Sequence, residues 1–343
     1  AAMMQVVLEQ PQKVVVKDVA KPAAGHGQVL IKVKRIGVCG SDIHAYYGKH
    51  PFISCPIVQG HEFSGEIVQA GDGVKGLRIG DVVTVRPQVV CGTCYACRHG
   101  NYNICSNLKV IGCQVPGAAQ EFLAVDASVV VKLPKGMSLD LGAMVEPVAV
   151  GVHALRRLGD VKGMNLVVLG AGPIGNLTAQ SAQAMGARSV IITDISEPRL
   201  EIARRCGVHH AVNVAQEDLG AAILKVCGDD RADAFLECVG ASATIEQAVS
   251  LARKGSDIIV VGVYEQKASV DMGLAQDKEL RLIGTLMYKA EDYQTALRLM
   301  SSGALTLEPL ITNRFPLARF ADAYAHIEAN RATTMKVLIE LGA

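Results

Sequence analysis

Residues 166–194 read LVVLGAGPIGNLTAQSAQAMGARSVIITD, and this stretch decides the fold. An apolar run, Leu166, Val167, Val168 and Leu169, enters a turn made of Gly170, Ala171, Gly172, Pro173, Ile174 and Gly175. A helical pattern follows through Met185, and a second apolar run ends at Asp194. Glycines so placed let the chain turn tightly and let the backbone approach a pyrophosphate, which then rests on the N-terminus of the next helix. A carboxylate about 20 residues beyond such a turn accepts from an adenosine ribose, and Asp194 stands there. Its charge repels a 2′-phosphate, so the reading is NAD rather than NADP. Arg199, one turn further on, offsets part of that repulsion. A glycine pattern alone also occurs in ordinary turns; strand, turn, helix, strand and acid in order carry the assignment.

Outward from this unit the chain changes character on each side. After Asp194, strand patterns (211–214, 234–238, 258–263, 280–286) alternate with helical ones (199–206, 219–227, 245–252). Six strands with intervening helices imply an α/β fold with a doubly wound parallel sheet over residues 149–287. Before it, short apolar segments at 14–16 and 29–33, separated by Pro and Gly, mark an all-β module within residues 1–148. A helical segment, 148–158, bridges the two. Residues 288–343 comprise a helix (290–302), a polar stretch and a closing strand (336–341). This segment is expected to return to the first domain, because six strands already complete the dinucleotide fold.

The 343 residues suffice for two domains with large cores. Thirty-four basic against 33 acidic residues leave a net charge of +1, which gives no attraction for nucleic acid or an anionic membrane. No secretory signal or membrane-spanning run is visible, and ten cysteines without a signal argue for thiols and metal ligands rather than disulfides. A cytoplasmic protein is expected.

Four of those cysteines, Cys91, Cys94, Cys97 and Cys105, fall in one loop, residues 91–105. Such spacing converges on a tetrahedral four-sulfur site with no open position, hence a structural zinc. An iron–sulfur cluster uses similar spacing, but hydride chemistry calls for no one-electron carrier. Three other places hold metal-ligand chemistry: Cys39, the pair His61–Glu62, and Glu146. Singly, each has a plain alternative: a buried thiol, a core histidine, a helix-start acid. Together, thiolate, imidazole and carboxylate match a catalytic zinc with one position left for water or substrate.

The segments GVCGSDIH (37–44), GHE (60–62), MVEPVAVGVHA (144–154) and VVLGAGPIG (167–175), with the cysteine loop, resemble the zinc-containing medium-chain dehydrogenases. The likeness is greatest to their polyol and sugar-acid branch, the sorbitol and galactonate or idonate 5-dehydrogenases. The resemblance spans nearly the whole chain and implies a GroES-like β-rich catalytic domain beside a Rossmann domain that binds NAD. It implies two zinc ions per chain. Cys39 and His61 match ligands of the catalytic one; Glu62 and Glu146 match two carboxylates of which either ligates directly. Ser41 and His44 match a proton relay, and Val239 and Val261 match strand ends beside the nicotinamide. A homodimer or homotetramer is also implied.

The substrate is read from the loop His44-Ala-Tyr46-Tyr47-Gly-Lys49-His50, rich in hydrogen-bond donors that suit a polyhydroxylated molecule. Lys49, His50 or Arg86 would meet a sugar-acid carboxylate, although each also suits a solvated basic surface. The arginine that neutral sorbitol enzymes carry after the last Rossmann strand is missing from residues 284–289 (GTLMYK). The expected activity is hydride transfer from a secondary hydroxyl of a polyol or hexonate-type sugar acid to NAD+, giving a ketone. Threonine 3-dehydrogenase activity is the alternative within the superfamily. A non-catalytic structural or binding relative is the alternative of a different class, and loss of the metal set would be its mark.

Overall fold

Strands Asn165–Leu169 and Ser189–Asp194 pair in parallel, Asn165 opposite Ser189 and Leu169 opposite Thr193. They lie within a six-stranded parallel sheet in the computed structural model of the protein, which describes residues 2–342. Across the sheet the order is His210–Asn213, Ser189–Asp194, Asn165–Leu169, Ala234–Glu237, Asp257–Val260 and Arg281–Gly284. The direction of winding therefore reverses between Asn165–Leu169 and Ala234–Glu237, the switch point where open α/β sheets bind ligands. Leu166 and Val168 pack on one face of the sheet, Val167 and Leu169 on the other, and all four are fully buried. That is why the sequence shows an unbroken apolar run rather than alternation. Each such side chain contributes about 1.5–3 kcal/mol of burial.

This sheet belongs to a unit spanning Pro147–Leu310. The helix Ala290–Ser301 lies inside it, so the boundary expected at residue 288 falls at 311 instead. Buried charge explains the difference. Asp292, fully buried, faces His153 Nδ1 at 2.8 Å and Arg156 Nε at 2.7 Å, while Tyr288 and Tyr293 are wholly enclosed.

The other unit comprises Ala1–Glu146 and Ile311–Ala343. Its main sheet runs Ile311–Pro316, Lys336–Glu340, Gln28–Gly37, Glu62–Ala70, Val82–Val85, Val130–Lys132, with Phe122–Asp126 also paired to Gln28–Gly37. Inward residues Val29, Ile31, Ile36, Phe63, Ile67, Val83, Val337 and Ile339 form its core. Strand Lys336–Glu340 is antiparallel to Gln28–Gly37, Leu338 opposite Gly37. The stretch taken as polar from sequence holds strand Ile311–Pro316 and helix Phe320–Ala329. The strand escapes notice because none of its residues is fully buried, so no apolar alternation was written into it.

Helix Leu139–Arg156 starts well before the expected residue 148, and Pro147 lies within it. Proline there lacks the N–H that would bond one turn back, which is why the sequence read as a helix start. Among the described residues no helix is long and apolar enough to cross a membrane.

Candidate metal centres and dinucleotide turn

Cys39 caps helix Gly40–Tyr46, and its N–H donates to Asp42 Oδ2 at 3.0 Å. An acid three residues after the cap closes the turn and fixes where the sulfur points. His61 and Glu62 lie at the head of strand Glu62–Ala70, where Glu62 pairs with Gly37 of the neighbouring strand. A Cβ at position 37 would come within 2.3 Å of Glu62 Oε2, so the glycine is what admits the carboxylate. One donor atom from each of Cys39, His61 and Glu62 lies within 4.8 Å of the others; Glu146, 5 % exposed, is outside that group. Lys336, 2 % exposed, donates from Nζ to Glu62 Oε2 at 2.6 Å and to the Val38 carbonyl at 3.2 Å. The other carboxylate oxygen, Glu62 Oε1, is buried with no hydrogen-bond partner.

The electrostatics of this pocket demand cations. Burial works against a charged His61, yet the Asp42 carboxylate and Cys39 outweigh it and hold the imidazole well above its ordinary pKa. Burial likewise works against the Lys336 ammonium, and Glu62, Cys39 and Glu146 overcome it, raising its pKa. Asp42 Oδ1 stands 3.6 Å from His61 Nδ1 and has no closer partner. A partly buried sulfur, a buried imidazole and a buried carboxylate with an orphaned oxygen, gathered in an anion-rich pocket, fit a zinc ion with mixed ligands.

The second donor set is built differently. Cys91, Cys94, Cys97 and Cys105 bring their sulfurs within 4.8 Å of one another, with Cys91–Cys105 at 3.5 Å and Cys94–Cys105 at 3.9 Å. Four sulfurs about 2.3 Å from a zinc lie about 3.8 Å apart. Backbone N–H groups aim at them: Cys94 to Cys91 Sγ at 3.3 Å, Asn107 to Cys105 Sγ at 3.3 Å. Hydrogen bonds from Thr93 and Cys94 bring the Cys91 thiol down to about 5, and those from Cys97 and Ser106 bring Cys94 down to about 7. The set fits a closed structural zinc. All ten cysteines are free thiols.

At the dinucleotide turn, Gly170 has a φ of +100°, and a Cβ on Gly175 would lie 1.8 Å from the Gly170 carbonyl oxygen. Pro173 and Ile174 open helix Pro173–Ala184, with Gly172 as its cap. The Asp194 carboxylate ties the two strand ends together, Oδ2 accepting from Ala171 N–H at 2.8 Å and Oδ1 from Ser196 N–H at 2.9 Å. The Arg199 guanidinium approaches Gly172, 3.6 Å from where a Cβ would stand. Val239, half exposed, covers Gly170, and Val261 follows strand Asp257–Val260.

The remaining candidates separate. Ser41 and His44 are both partly buried and three residues apart on helix Gly40–Tyr46, hence on one face. Tyr46 is stacked on buried Tyr324 at 4.3 Å, so one face of its ring is taken up by packing. Arg86 donates to the Ser128 carbonyl at 2.9 Å. Tyr47 is partly buried; Lys49 is exposed and lies over its ring. Sequence reading missed Asp42, Lys336 and Glu237. The C-x-x-D capping spacing signals the first. Nothing local signals Lys336, whose partner is 274 residues away. Glu237, fully buried, gathers Val239 N–H, Gly240 N–H, Thr244 Oγ1 and Tyr264 OH at the end of its strand.

A mixed-ligand zinc pocket, a four-sulfur loop and a dinucleotide turn in one chain define a zinc- and dinucleotide-dependent oxidoreductase. Residues 25–135 match the alcohol dehydrogenase GroES-like domain family and residues 173–302 the zinc-binding dehydrogenase family. The chain is 37 % identical over 318 residues to a 2-dehydro-3-deoxy-L-galactonate 5-dehydrogenase of Pseudoalteromonas atlantica, covering 92 % of each. It is 34 % identical over 330 residues to an L-threonine 3-dehydrogenase of Pyrococcus abyssi, covering 94 % of this chain and 93 % of that one. The crystal structure of galactitol-1-phosphate dehydrogenase from Escherichia coli superposes with a TM-score of 0.91 at 33 % identity, covering 98 % of this chain and 100 % of that one. The chain belongs to the zinc-containing medium-chain alcohol dehydrogenases, in the branch that includes polyol and sugar-acid enzymes. It is an oxidoreductase whose cofactors are zinc and a nicotinamide dinucleotide.

Proposed function

We propose that this enzyme oxidises a secondary hydroxyl of a polyol or a hexonate-type sugar acid to the ketone, with NAD+ as the acceptor. The observation that carries the reading is the convergence of partly buried Cys39 with buried His61 and Glu62, one Glu62 oxygen being left open. These residues would hold the catalytic zinc, and the four-cysteine loop the second. When bound, zinc supplies a Lewis acid that lowers the pKa of the substrate hydroxyl, and the nicotinamide supplies the hydride acceptor.

The chain's own groups do the rest. Lys336 holds Glu62 Oε2 and so leaves Oε1 for the metal. Glu146 is the second carboxylate, beyond the group of three. Ser41 Oγ would accept the hydroxyl proton as it gives up its own, and His44, on the same face of helix Gly40–Tyr46, would carry a proton toward solvent. Gly170, Gly172 and Gly175 would admit the pyrophosphate of the dinucleotide, and Asp194, already accepting from Ala171 and Ser196 N–H, would hold its adenosine ribose. The donor-rich loop around Tyr47 and Lys49 and the galactonate dehydrogenase relative support a polyhydroxylated substrate. The threonine dehydrogenase relative supports the second reading, an amino alcohol.

A panel of hexitols, hexonates and L-threonine, followed by NADH absorbance, tests both. Turnover on hexitols or hexonates is expected; activity confined to threonine overturns the substrate class. The homodimer or homotetramer we infer from the resemblance is checked by light scattering.

A further inference from the structure

Gln59 stands two residues before His61, buried to 4 % exposure, and its amide is engaged at both ends. Its Nε2 donates to the Asp42 carbonyl at 3.0 Å, and its Oε1 accepts a hydrogen bond from the Tyr324 hydroxyl. Tyr324 belongs to helix Phe320–Ala329, 265 residues further along the chain. Its ring is 2 % exposed and stacked on Tyr46, 9° from parallel. Tyr46 in turn belongs to the short helix that carries Asp42. The C-terminal helix therefore grips the Asp42 turn twice, through a ring on Tyr46 and through an amide on the Asp42 backbone.

Asp42 is where that grip becomes chemistry. Its Oδ2 fixes the Cys39 N–H, and its Oδ1 faces His61 Nδ1 at 3.6 Å. A carboxylate behind a ligating imidazole sets the ring's orientation, and loss of such outer partners weakens metal binding about 10–100-fold. A buried amide whose oxygen and nitrogen both have partners keeps one arrangement, since any other strands a polar group.

We propose that Gln59 and Tyr324 are positioning residues for the mixed donor set. They hold the Asp42 turn against the C-terminal helix so that Asp42 presents the His61 ring at the angle a zinc ion needs. This rests on the reading that Cys39, His61 and Glu62 bind zinc. It also gives Gln59 a task that an aliphatic residue at that position could not perform, because the Tyr324 hydroxyl would then be buried without a partner.

The test uses the zinc-loaded chain and its Tyr324→Phe and Gln59→Leu variants. Zinc release to a competing chelator is followed over time, the mixed-set population is assigned with Cys39→Ala, and circular dichroism reports the fold. Both variants are expected to lose the mixed-set zinc about tenfold faster, with release from the four-cysteine loop unchanged. In cobalt-loaded protein, the visible absorption of the mixed set is expected to shift while that of the loop stays. Tyr324→Phe removes a single oxygen, so it decides the matter should Gln59→Leu fail to fold. Wild-type release and an unmoved cobalt spectrum in Tyr324→Phe overturn the proposal. So does equal acceleration at both sets, which would mark general loosening. A wild-type chain holding only the loop zinc overturns the underlying metal reading, and this inference with it.

Discussion

The two donor sets in this chain obey opposite rules. Cys91, Cys94, Cys97 and Cys105 come from one short loop, three of them partly exposed, and backbone N–H groups prepare their sulfurs. Cys39 and the adjacent pair His61–Glu62 come from distant parts of the chain, the pair buried and Cys39 partly so, and depend on Asp42 and Lys336 for their setting. The first is a local invention that needs little from the fold. The second is assembled by the fold, and its charge balance is set by Asp42 beside His61 and Lys336 on Glu62. Closed and uniform, the loop suits a structural role; mixed and open on one carboxylate oxygen, the pocket suits catalysis.

Removing a ligand from each set should break the comparison most sharply. Cys39→Ala is expected to reduce turnover by more than the roughly 100-fold that outer-layer changes reach, and to lower the zinc count from two to one per chain by elemental analysis. Cys94→Ser should also lose one zinc, yet cobalt loading should still give the mixed-set spectrum. If Cys94→Ser abolished the mixed-set spectrum instead, the two regions would not be independent.

Next in size is Lys336→Met. Removing one partner of a buried ion pair strands the other charge at a cost of about 3–5 kcal/mol, and here that charge is Glu62. The loss should appear in full when denaturant unfolding is run on metal-free protein and shrink when zinc is present to answer the same carboxylate. Equal losses with and without zinc would mean that Glu62 is not a ligand.

Asp194→Ala should weaken NAD binding about tenfold, the scale of one hydrogen bond to a charged group, while leaving both zinc sites loaded; fluorescence titration of NADH reads it. The smallest effect belongs to Asp140, whose carboxyl is held below its usual range by hydrogen bonds from Arg314, which outweigh burial, and from Arg35. Because the folded-state value is depressed, its stabilisation is present above the unfolded value of about 3.9 and fades as pH falls through the folded one. The group is largely solvent-screened, so Asp140→Asn should cost only about 0.5–1 kcal/mol at neutral pH, vanish in strong acid, and release no zinc.

What was legible in the sequence follows the same division between local and assembled. The parallel sheet could be read because Leu166–Leu169 are buried on both faces and leave an unbroken apolar run. The cysteine loop could be read because its ligands share one loop. Cys39, His61 and Glu62 could be named from their donor chemistry, but not their convergence, since nothing in their spacing says that two distant segments meet. Lys336 was invisible: a lysine in an apolar closing strand reads as solvated until strand pairing puts it beside Glu62. The stacking of Tyr46 was equally hidden, because its partner lies on a helix that the sequence did not announce.

The buried ammonium also puts the assembly of the pocket on a clock. Glu62 meets its counter-charge only across 274 residues, so a ribosome adding about 5–20 residues per second emits the thiol, the imidazole and the acid tens of seconds before the cation that offsets them. Until Lys336 emerges, burying Glu62 would leave a carboxylate without its counter-charge.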